Sequence, residues 1–555
     1  MAKSGFPAAA GWGPSLFSAL SRQPALLLAA VAALIGLTWY VLGWPSAMPR
    51  SPLAAGEKLA CVSYAPFRGG QSPLERDIEI SAAQIEEDLA QLAEISGCVR
   101  TYSTSQGLDQ IAEIARKYGL SVLQGIWLSR DLERNRLEIE AGIALAREYR
   151  DVIKMVIVGN EVLLRGEMAA ADLKDVIERV RRETGLPVTY ADVWEFWLRN
   201  RDLASAVDFV TIHILPYWED FPVTAAEAAR HVVEIHAKAA ASFPGKQVMI
   251  GEVGWPSAGR MRDGALPSPS NQARVMHEVI AAAKRGNWPT NLIEAYDQPW
   301  KRRLEGTVGG HWGLFDGEKR TPKFQWGAPV RDHPLWFYQG LLGVLLALVT
   351  FAGAYFAARS QGEDEPEKID WLPIAAMAFA GGLFLGWALV LAPLERFTAA
   401  DSIKSTILIL LAFMTPPMAA AAAARQTPLA GFATVLDPLF WRAAMPMERL
   451  LAGFLLITVA IAITIALGLV FDPRYRDFPF APLTGPVVAL FIATFANPSG
   501  LKREGIAEQI SAALLAGSAL YVFFNEGLLN WQAQWFAALL LLLATACLRL
   551  RVARS

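Results

Sequence analysis

The sequence predicts an α/β fold, a (β/α)8 TIM barrel, followed by an all-α multi-span transmembrane domain. Three observations carry this prediction. Strand-like and helix-like segments alternate between residues 58 and 330, hydropathy rises abruptly after Pro334, and two of the apolar strand runs end directly in glutamate.

The chain has 555 residues, more than one hydrophobic core organises, so at least two units are expected. Its residues are 53% apolar and 19% charged, with a mean hydropathy of +0.29. That is too apolar for a soluble enzyme and too charged for a protein sunk wholly in lipid. A net charge of −2 offers no basic field and argues against a nucleic-acid partner. Three cysteines cannot frame a disulfide scaffold. No zinc spacing, phosphate-binding glycine loop or dinucleotide fingerprint is present, so neither a metal nor a cofactor is expected.

Residues 25–44 carry no charge and are about as long as a bilayer crossing requires. Lys3 and Arg22 precede them. A cleaved signal peptide is the rival reading, because residues 46–55 are small and Pro-rich. The apolar run and its flank are long for one, which favours an uncleaved anchor. Beyond Pro334, apolar spans follow at 335–357, 371–393, 402–424, 449–471, 481–496, 508–525 and 532–549, with 481–496 short and Pro-bounded. With the N-terminus inside, the loops 425–448 (Arg425, Arg442) and 497–507 (Lys502, Arg503) and the tail (Arg549, Arg551, Arg554) fall on the cytoplasmic side. The positive-inside rule asks for this, and Arg474 and Arg476 go against it. The expected division is a cytoplasmic segment 1–24, an anchor 25–44, a linker 45–57, a barrel 58–330 outside the cytoplasm, a seven-span domain 335–549 and a cytoplasmic tail 550–555.

Runs rich in β-formers begin at Leu59, Val99, Ser121, Ile153, Pro187, Val207, Gln247 and Asn291, with amphipathic helices in most of the intervals. Their nearly continuous apolar character suits parallel strands buried on both faces. The first helix has Ser81 and Gln84 spaced as a capping box, then Ile85, Leu89, Leu92 and Ile95 on one face. The second carries Leu108, Ile111 and Ala115 and stops at Gly119. Eight such units match a (β/α)8 barrel. A doubly wound open sheet, the alternative, generally has fewer strands and a glycine-rich first turn, which is absent here.

Chemistry in a barrel sits where strands end. The fourth run ends in Gly159-Asn160-Glu161 and the seventh in Gly251-Glu252-Val253-Gly254-Trp255-Pro256. The two glutamates, three βα units apart, would face each other across the barrel mouth. Glycoside hydrolysis requires such a pair: one carboxyl protonates the leaving oxygen, and the other attacks the anomeric carbon or activates water. Either glutamate alone suits a salt bridge to a rim arginine equally well. Trp127, Trp194, Trp197, Trp218, Trp255, Trp300 and Trp312 follow strands or sit in rim loops, where flat apolar faces would line a sugar groove. Any one of them taken singly suits packing better. His213, near the end of the sixth run, reads as a wall residue of the site, since two carboxylates suffice. Cys61 and Cys98 fall in neighbouring strands, where a disulfide and two separate buried thiols are both open.

The segment VMIGEVGWPSAG resembles the signature of glycoside hydrolase family 17, the β-1,3-glucanases and glucan transglycosylases of plants, fungi and bacteria. The resemblance spans roughly residues 58–325 and includes VRTYS, VGNEV, HILPYWE, EAYDQPWK and HWGLFDGEKRTPKF in order. It implies a retaining mechanism with Glu161 as acid/base and Glu252 as nucleophile. It also implies that Asn160 holds the sugar 2-hydroxyl, that Tyr102 and Tyr217 surround the nucleophile, and that Asp297 and Lys301 form a polar cluster beside Trp300. His213 and Trp255 complete the expected binding set. Gln298 departs from the pattern, since many relatives have a glutamate there, so it is given no proton-transfer role.

The whole chain resembles bacterial membrane proteins described as β-(1→6)-glucan synthases, known from rhizobia. That implies a multi-pass protein of the bacterial inner membrane with its catalytic domain in the periplasm. Synthesis from a sugar nucleotide would need a cytoplasmic domain that these short loops cannot hold. The expected reaction is therefore transfer, by a glucanosyltransferase that branches or remodels β-(1,3)/(1,6)-glucan. Hydrolysis of the same glucan is the runner-up, and a glucan-binding export or sensing protein is the reading of another class. Ionisable residues are nearly absent inside the spans, which argues against a transport path. The implied partners are a β-glucan oligo- or polysaccharide, the lipid bilayer and, as a further candidate, a separate glucan synthase.

Overall fold

The computed structural model describes residues 23–496 and 505–550. Residues 1–22 with Lys3 and Arg22, the pair Lys502 and Arg503, and the tail arginines Arg551 and Arg554 lie outside the described residues. The charge count that uses them remains a sequence argument. The chain divides into two compact units: Pro45–Asp332 with Tyr475–Asp477, and Met1–Trp44 with His333–Arg474 and Phe478–Ser555.

In the first unit eight strands close into a barrel in chain order, and every neighbouring pair is parallel. They are β1 (Cys61–Ser63), β2 (Cys98–Arg100), β3 (Ser121–Ile126), β4 (Ile153–Asn160), β5 (Val188–Val193), β6 (Phe209–His213), β7 (Gln247–Val253) and β8 (Thr290–Leu292). Alternation along the strands sends side chains to two layers. Cys61, Cys98, Leu123, Met155, Ile157, Ala191 and Met249 form one buried cluster, the filling of the barrel. Val62, Val99, Val122, Val156, Val188 and Val210 join the larger core that also holds Ile85, Leu89 and Leu92 of the first barrel helix, Ala82–Ile95. Cys61 and Cys98 open β1 and β2 with their Cα atoms 4.4 Å apart and form a disulfide, which decides the alternative the sequence leaves open.

Local signals account for the helix ends. Ser81 accepts from the Gln84 amide, an N-cap worth about 1 kcal/mol. The Gln84 side chain does not return to complete the box. It turns to the Pro66 carbonyl at 2.7 Å and to Gln71 at 2.8 Å, because the loop after β1 offers these groups on the buried side. Gly119, with φ +68°, terminates Ile111–Lys117 in the left-handed conformation that glycine tolerates.

The second unit is all helical. Among the described residues seven helices are long and apolar enough to cross a membrane: Pro24–Leu42, Trp336–Arg359, Trp371–Glu395, Ala399–Ala424, Pro446–Phe471, Ile506–Asn525 and Trp531–Arg549. The sequence reading expects eight. The difference is the segment at 481–496, which forms the helix Phe480–Ala493 and a 3-10 turn to Ala496. That helix is about 21 Å long, against a hydrocarbon layer of about 30 Å. Helices Trp336–Arg359 and Trp371–Glu395 meet at Gly343 and Gly382, where a Cβ would fall 2.3 and 2.5 Å from the other glycine's carbonyl oxygen. Small residues at such crossings allow close helix packing in lipid.

Candidate active site

Three strands bring Glu161, His213 and Glu252 together. β4 ends in Gly159-Asn160, with Gly159 at φ +85°, and the chain turns through Glu161 at φ +51°. Two backbone bonds hold that turn: the Glu161 amide donates to Ala191 at 2.8 Å, and the Glu161 carbonyl accepts from Arg165 at 2.9 Å. Glu252 lies within β7 and His213 is the last residue of β6. His213 Nδ1 is 2.8 Å from Glu161 Oε1 and 3.7 Å from Glu252 Oε2. One ligand-type atom from each of the three residues lies within 4.8 Å of the others. Such a cluster has the donor types for a cation, but the guanidinium and ammonium groups described next already supply positive charge.

The two carboxylates have different surroundings. Glu252 is 5% exposed and Glu161 is 21% exposed. Arg100, from the end of β2, donates to Glu252 Oε1 at 2.6 Å, to the Gly251 carbonyl at 3.1 Å and to Asn160 Oδ1 at 2.5 Å. The Tyr102 hydroxyl donates to Glu252 Oε1 at 2.8 Å and lies 3.0 Å from Ser63 Oγ. Burial by itself would favour the neutral acid at Glu252. The positive side of His213, the charges of Arg100 and Lys301 and the Tyr102 hydroxyl outweigh it and hold the carboxyl below its ordinary value. Glu252 is thus kept as an anion.

Lys301 Nζ is 2.8 and 2.9 Å from the two oxygens of Glu294, just beyond β8. Burial pushes the Glu294 carboxyl up to about 7 against the pull of Lys301. Asn160 is committed to Arg100, so both stand at the base of the pair. Trp300 donates to Gln298 Oε1 at 2.8 Å, and Gln298 donates to the Ala65 carbonyl at 2.9 Å, which makes it a loop clamp.

The other expected binding residues have their polar atoms engaged elsewhere. Tyr217 is fully buried and donates to the Arg260 carbonyl at 2.8 Å. Trp255 is fully buried and donates to the Leu266 carbonyl at 3.1 Å. Asp297 accepts from Lys323 at 2.5 Å and from the Gly313 amide at 2.8 Å, with His311 at 3.5 Å. Those three bonds fix the 311–323 segment beside β8. Of the seven rim tryptophans, Trp197, Trp255 and Trp312 are buried, while Trp127, Trp194, Trp218 and Trp300 keep partly exposed faces.

Sequence reasoning does not single out Arg100, Glu138, Asp192 or Glu294. Glu138, on helix Leu132–Glu148, is buried and accepts from Ser103 Oγ (2.6 Å), Thr104 N (3.1 Å), Thr104 Oγ1 (3.2 Å), Ser105 N (3.1 Å) and Trp127 N (3.4 Å). It ties together the loops that carry Tyr102 and Trp127. Asp192, at the end of β5, accepts from the Tyr190 hydroxyl and from the Leu164 amide at 3.3 Å, which anchors the turn after Glu161. Burial raises its carboxyl to about 6; the Tyr190 bond opposes the rise and the nearby Glu161 charge adds to it.

Residues 61–313 match the BtgE/BtgC glycoside hydrolase domain family. The chain is similar to a glucan 1,3-beta-glucosidase of Saccharomyces cerevisiae, 25% identical over 264 residues, which covers 42% of this chain and 82% of the yeast protein. It is also similar to a putative glucan endo-1,3-beta-glucosidase, btgC, of Aspergillus niger, 26% identical over 289 residues, covering 46% and 42%. A solved glycoside hydrolase family 17 β-1,3-glucanosyltransferase from Rhizomucor miehei covers 48% of this chain and 97% of its own, with 24% identity and a TM-score of 0.43.

Proposed function

We propose that this protein transfers glucosyl units between β-glucan chains through a covalent glucosyl-enzyme, a reading supported by the match of residues 61–313 to a glycoside hydrolase domain family and by the similarity to glucan 1,3-beta-glucosidases. The observation that carries the reading is the unequal pair of carboxylates. Glu252 is buried and held anionic by Arg100 and Tyr102, as a nucleophile must be. Glu161 is the more exposed and stands across His213 from it. A short gap between the two, with ligand atoms within 4.8 Å, suits double displacement, for which carboxyl separations of about 5–5.5 Å are typical.

In the first step Glu252 forms a bond to C1 as the glycosidic C1–O bond breaks, and Glu161 gives its proton to the leaving oxygen. In the second, an acceptor hydroxyl attacks C1, Glu161 takes back the proton and Glu252 leaves. Water in place of the sugar acceptor yields hydrolysis. The partly exposed faces of Trp127, Trp218 and Trp300 are suited to stacking sugar rings. In this reading the products are β-(1,3)/(1,6)-glucans of the bacterial periplasm. The seven long apolar helices support a place in the inner membrane and contact with the bilayer. The disulfide Cys61–Cys98 supports an oxidising compartment for the barrel. A separate glucan synthase would supply the donor chains.

The full chain in detergent, given β-1,3-gluco-oligosaccharides, tests this by mass spectrometry and NMR of the products. Longer chains with new β-1,6 linkages and retained anomeric configuration are expected. Shorter products alone would replace transfer by hydrolysis. Binding without turnover would replace both by an export or sensing role. Glu252→Gln should abolish turnover, and a normal rate in that variant would end the assignment.

A further inference from the structure

The His213 ring is completely buried at the end of β6, and only one of its two nitrogens has a partner. Nδ1 lies 2.8 Å from Glu161 Oε1, while Nε2 is buried with no hydrogen-bond partner among the described residues. The ring lies against β7 at Gly251, where a Cβ would fall 3.1 Å from Cδ2 and 3.3 Å from Nε2. Glycine at 251 thus makes room for the imidazole, and no side chain there can reach Nε2. A proton on Nε2 would be a buried donor without an acceptor, which is costly. The single imidazole proton therefore belongs on Nδ1, facing Glu161.

We propose that His213 is a positioning residue for the acid/base, an inference that rests on reading Glu161 in that role. Nδ1–H donates to Glu161 Oε1 whether the carboxyl is protonated or ionised. The transferable proton is then confined to Oε2. In the first step it passes from Oε2 to the leaving oxygen as C1–O breaks and the Glu252–C1 bond forms. In the second, the acceptor hydroxyl returns a proton to Oε2 as the Glu252–C1 bond breaks. His213 keeps its own proton throughout. Without it the carboxyl can rotate, and the proton is no longer aimed at the glycosidic oxygen.

Leaving groups separate this role from a structural one. The full chain in detergent is assayed on laminaripentaose, whose leaving sugar needs a proton, and on 2,4-dinitrophenyl β-laminaribioside, whose phenolate does not. His213→Leu fills similar space without the donor, and His213→Asn restores an N–H near the place of Nδ1. His213→Leu is expected to lose about 10- to 100-fold in kcat/KM on the pentaose and no more than about threefold on the aryl substrate. His213→Asn should recover most of the loss. Equal losses on both substrates, or an Asn variant as slow as the Leu variant, would overturn the proposal. Glu161→Ala, run in parallel, must show the same selective loss and rescue by azide. If it does not, the acid/base reading itself fails, whatever His213 does.

Discussion

Removing Arg100 is the sharpest perturbation of the site. The side chain is 1% exposed and holds Glu252, Asn160 and the Gly251 carbonyl at once. Arg100→Met keeps much of the volume and deletes the charge. Glu252, itself 5% exposed, would then keep only the Tyr102 hydroxyl on Oε1. Leaving one partner of a buried pair alone costs about 3–5 kcal/mol. The charge has two ways to respond: the fold bears the cost, or the carboxyl takes a proton. The Glu252 carboxyl lies below its ordinary 4.5, and with Arg100 gone it must rise. The loss of the charge-assisted bond from Arg100 removes one of the causes that hold it down.

The sign follows from the chemistry. A depressed carboxyl stays ionised, as the proposed nucleophile must, until the pH falls through its folded value. In Arg100→Met that loss begins at higher pH. The assay is kcat/KM against pH for cleavage of β-1,3-gluco-oligosaccharides, with thermal unfolding of the same sample as the control for folding. The acid limb should move to higher pH and kcat should fall about 100-fold. Arg100→Lys should be intermediate, because one ammonium cannot bond Glu252 and Asn160 in the same fork. A folded Arg100→Met variant with an unmoved acid limb would refute the reasoning.

Glu138→Gln replaces an acceptor of five bonds with a group that presents N–H to some of the same donors. It should lower kcat/KM about tenfold and destabilise the barrel by about 2 kcal/mol, checked by kinetics and thermal unfolding. Burial pushes the Glu195 carboxyl from 4.5 up to about 7, and its Oε2 has no partner among the described residues. The folded state therefore takes up a proton that the unfolded state lacks, and stability falls as pH rises from about 4.5 through 7. Glu195→Gln should raise the Tm relative to the parent above pH 7, with no gain below pH 4.5. The double variant Cys61→Ser, Cys98→Ser should lose about 2–4 kcal/mol of barrel stability. In the parent, denatured without reductant, alkylation followed by mass spectrometry should label Cys547 and neither of these two.

The barrel is legible because apolar runs closed by polar residues recur along the chain, as in VMIGEVGWP, where the run and the glutamate that ends it are one pattern. Membrane helices declare themselves the same way, except at 481–496, where apolar character is present and length is not. Pairing is harder to read. Nothing in the spacing of Cys61 and Cys98 says that β1 and β2 bring their Cα atoms to 4.4 Å. Arg100 and Glu138 did leave a trace. Arg100 interrupts the apolar run CVRTY, and Glu138 occupies the buried stripe of its helix with Asn135, Ile139, Gly142 and Ile143. A charge where periodicity demands an apolar residue is a buried charge with a partner, but the sequence does not name the partner. Tyr217 and Trp255 show the converse. Their positions at strand ends suit a sugar site, but the direction of each side chain depends on packing that no local pattern encodes.

The left-handed turn at Glu161 sets two kinds of selection against each other. An L-residue with a β-carbon at φ +51° forgoes roughly 1 kcal/mol that glycine would keep. Backbone conformation alone therefore favours glycine or asparagine at this position, and in the proposed reading selection for turnover retains glutamate. Glu161→Gly should relieve that strain but leave the buried His213 Nδ1 without its partner, while Glu161→Gln leaves the strain in place. A descendant of this chain released from catalysis should drift first at residue 161, with the barrel unharmed. In the proposed reading, glycine or asparagine there would mark a chain that keeps the barrel and has lost its acid/base.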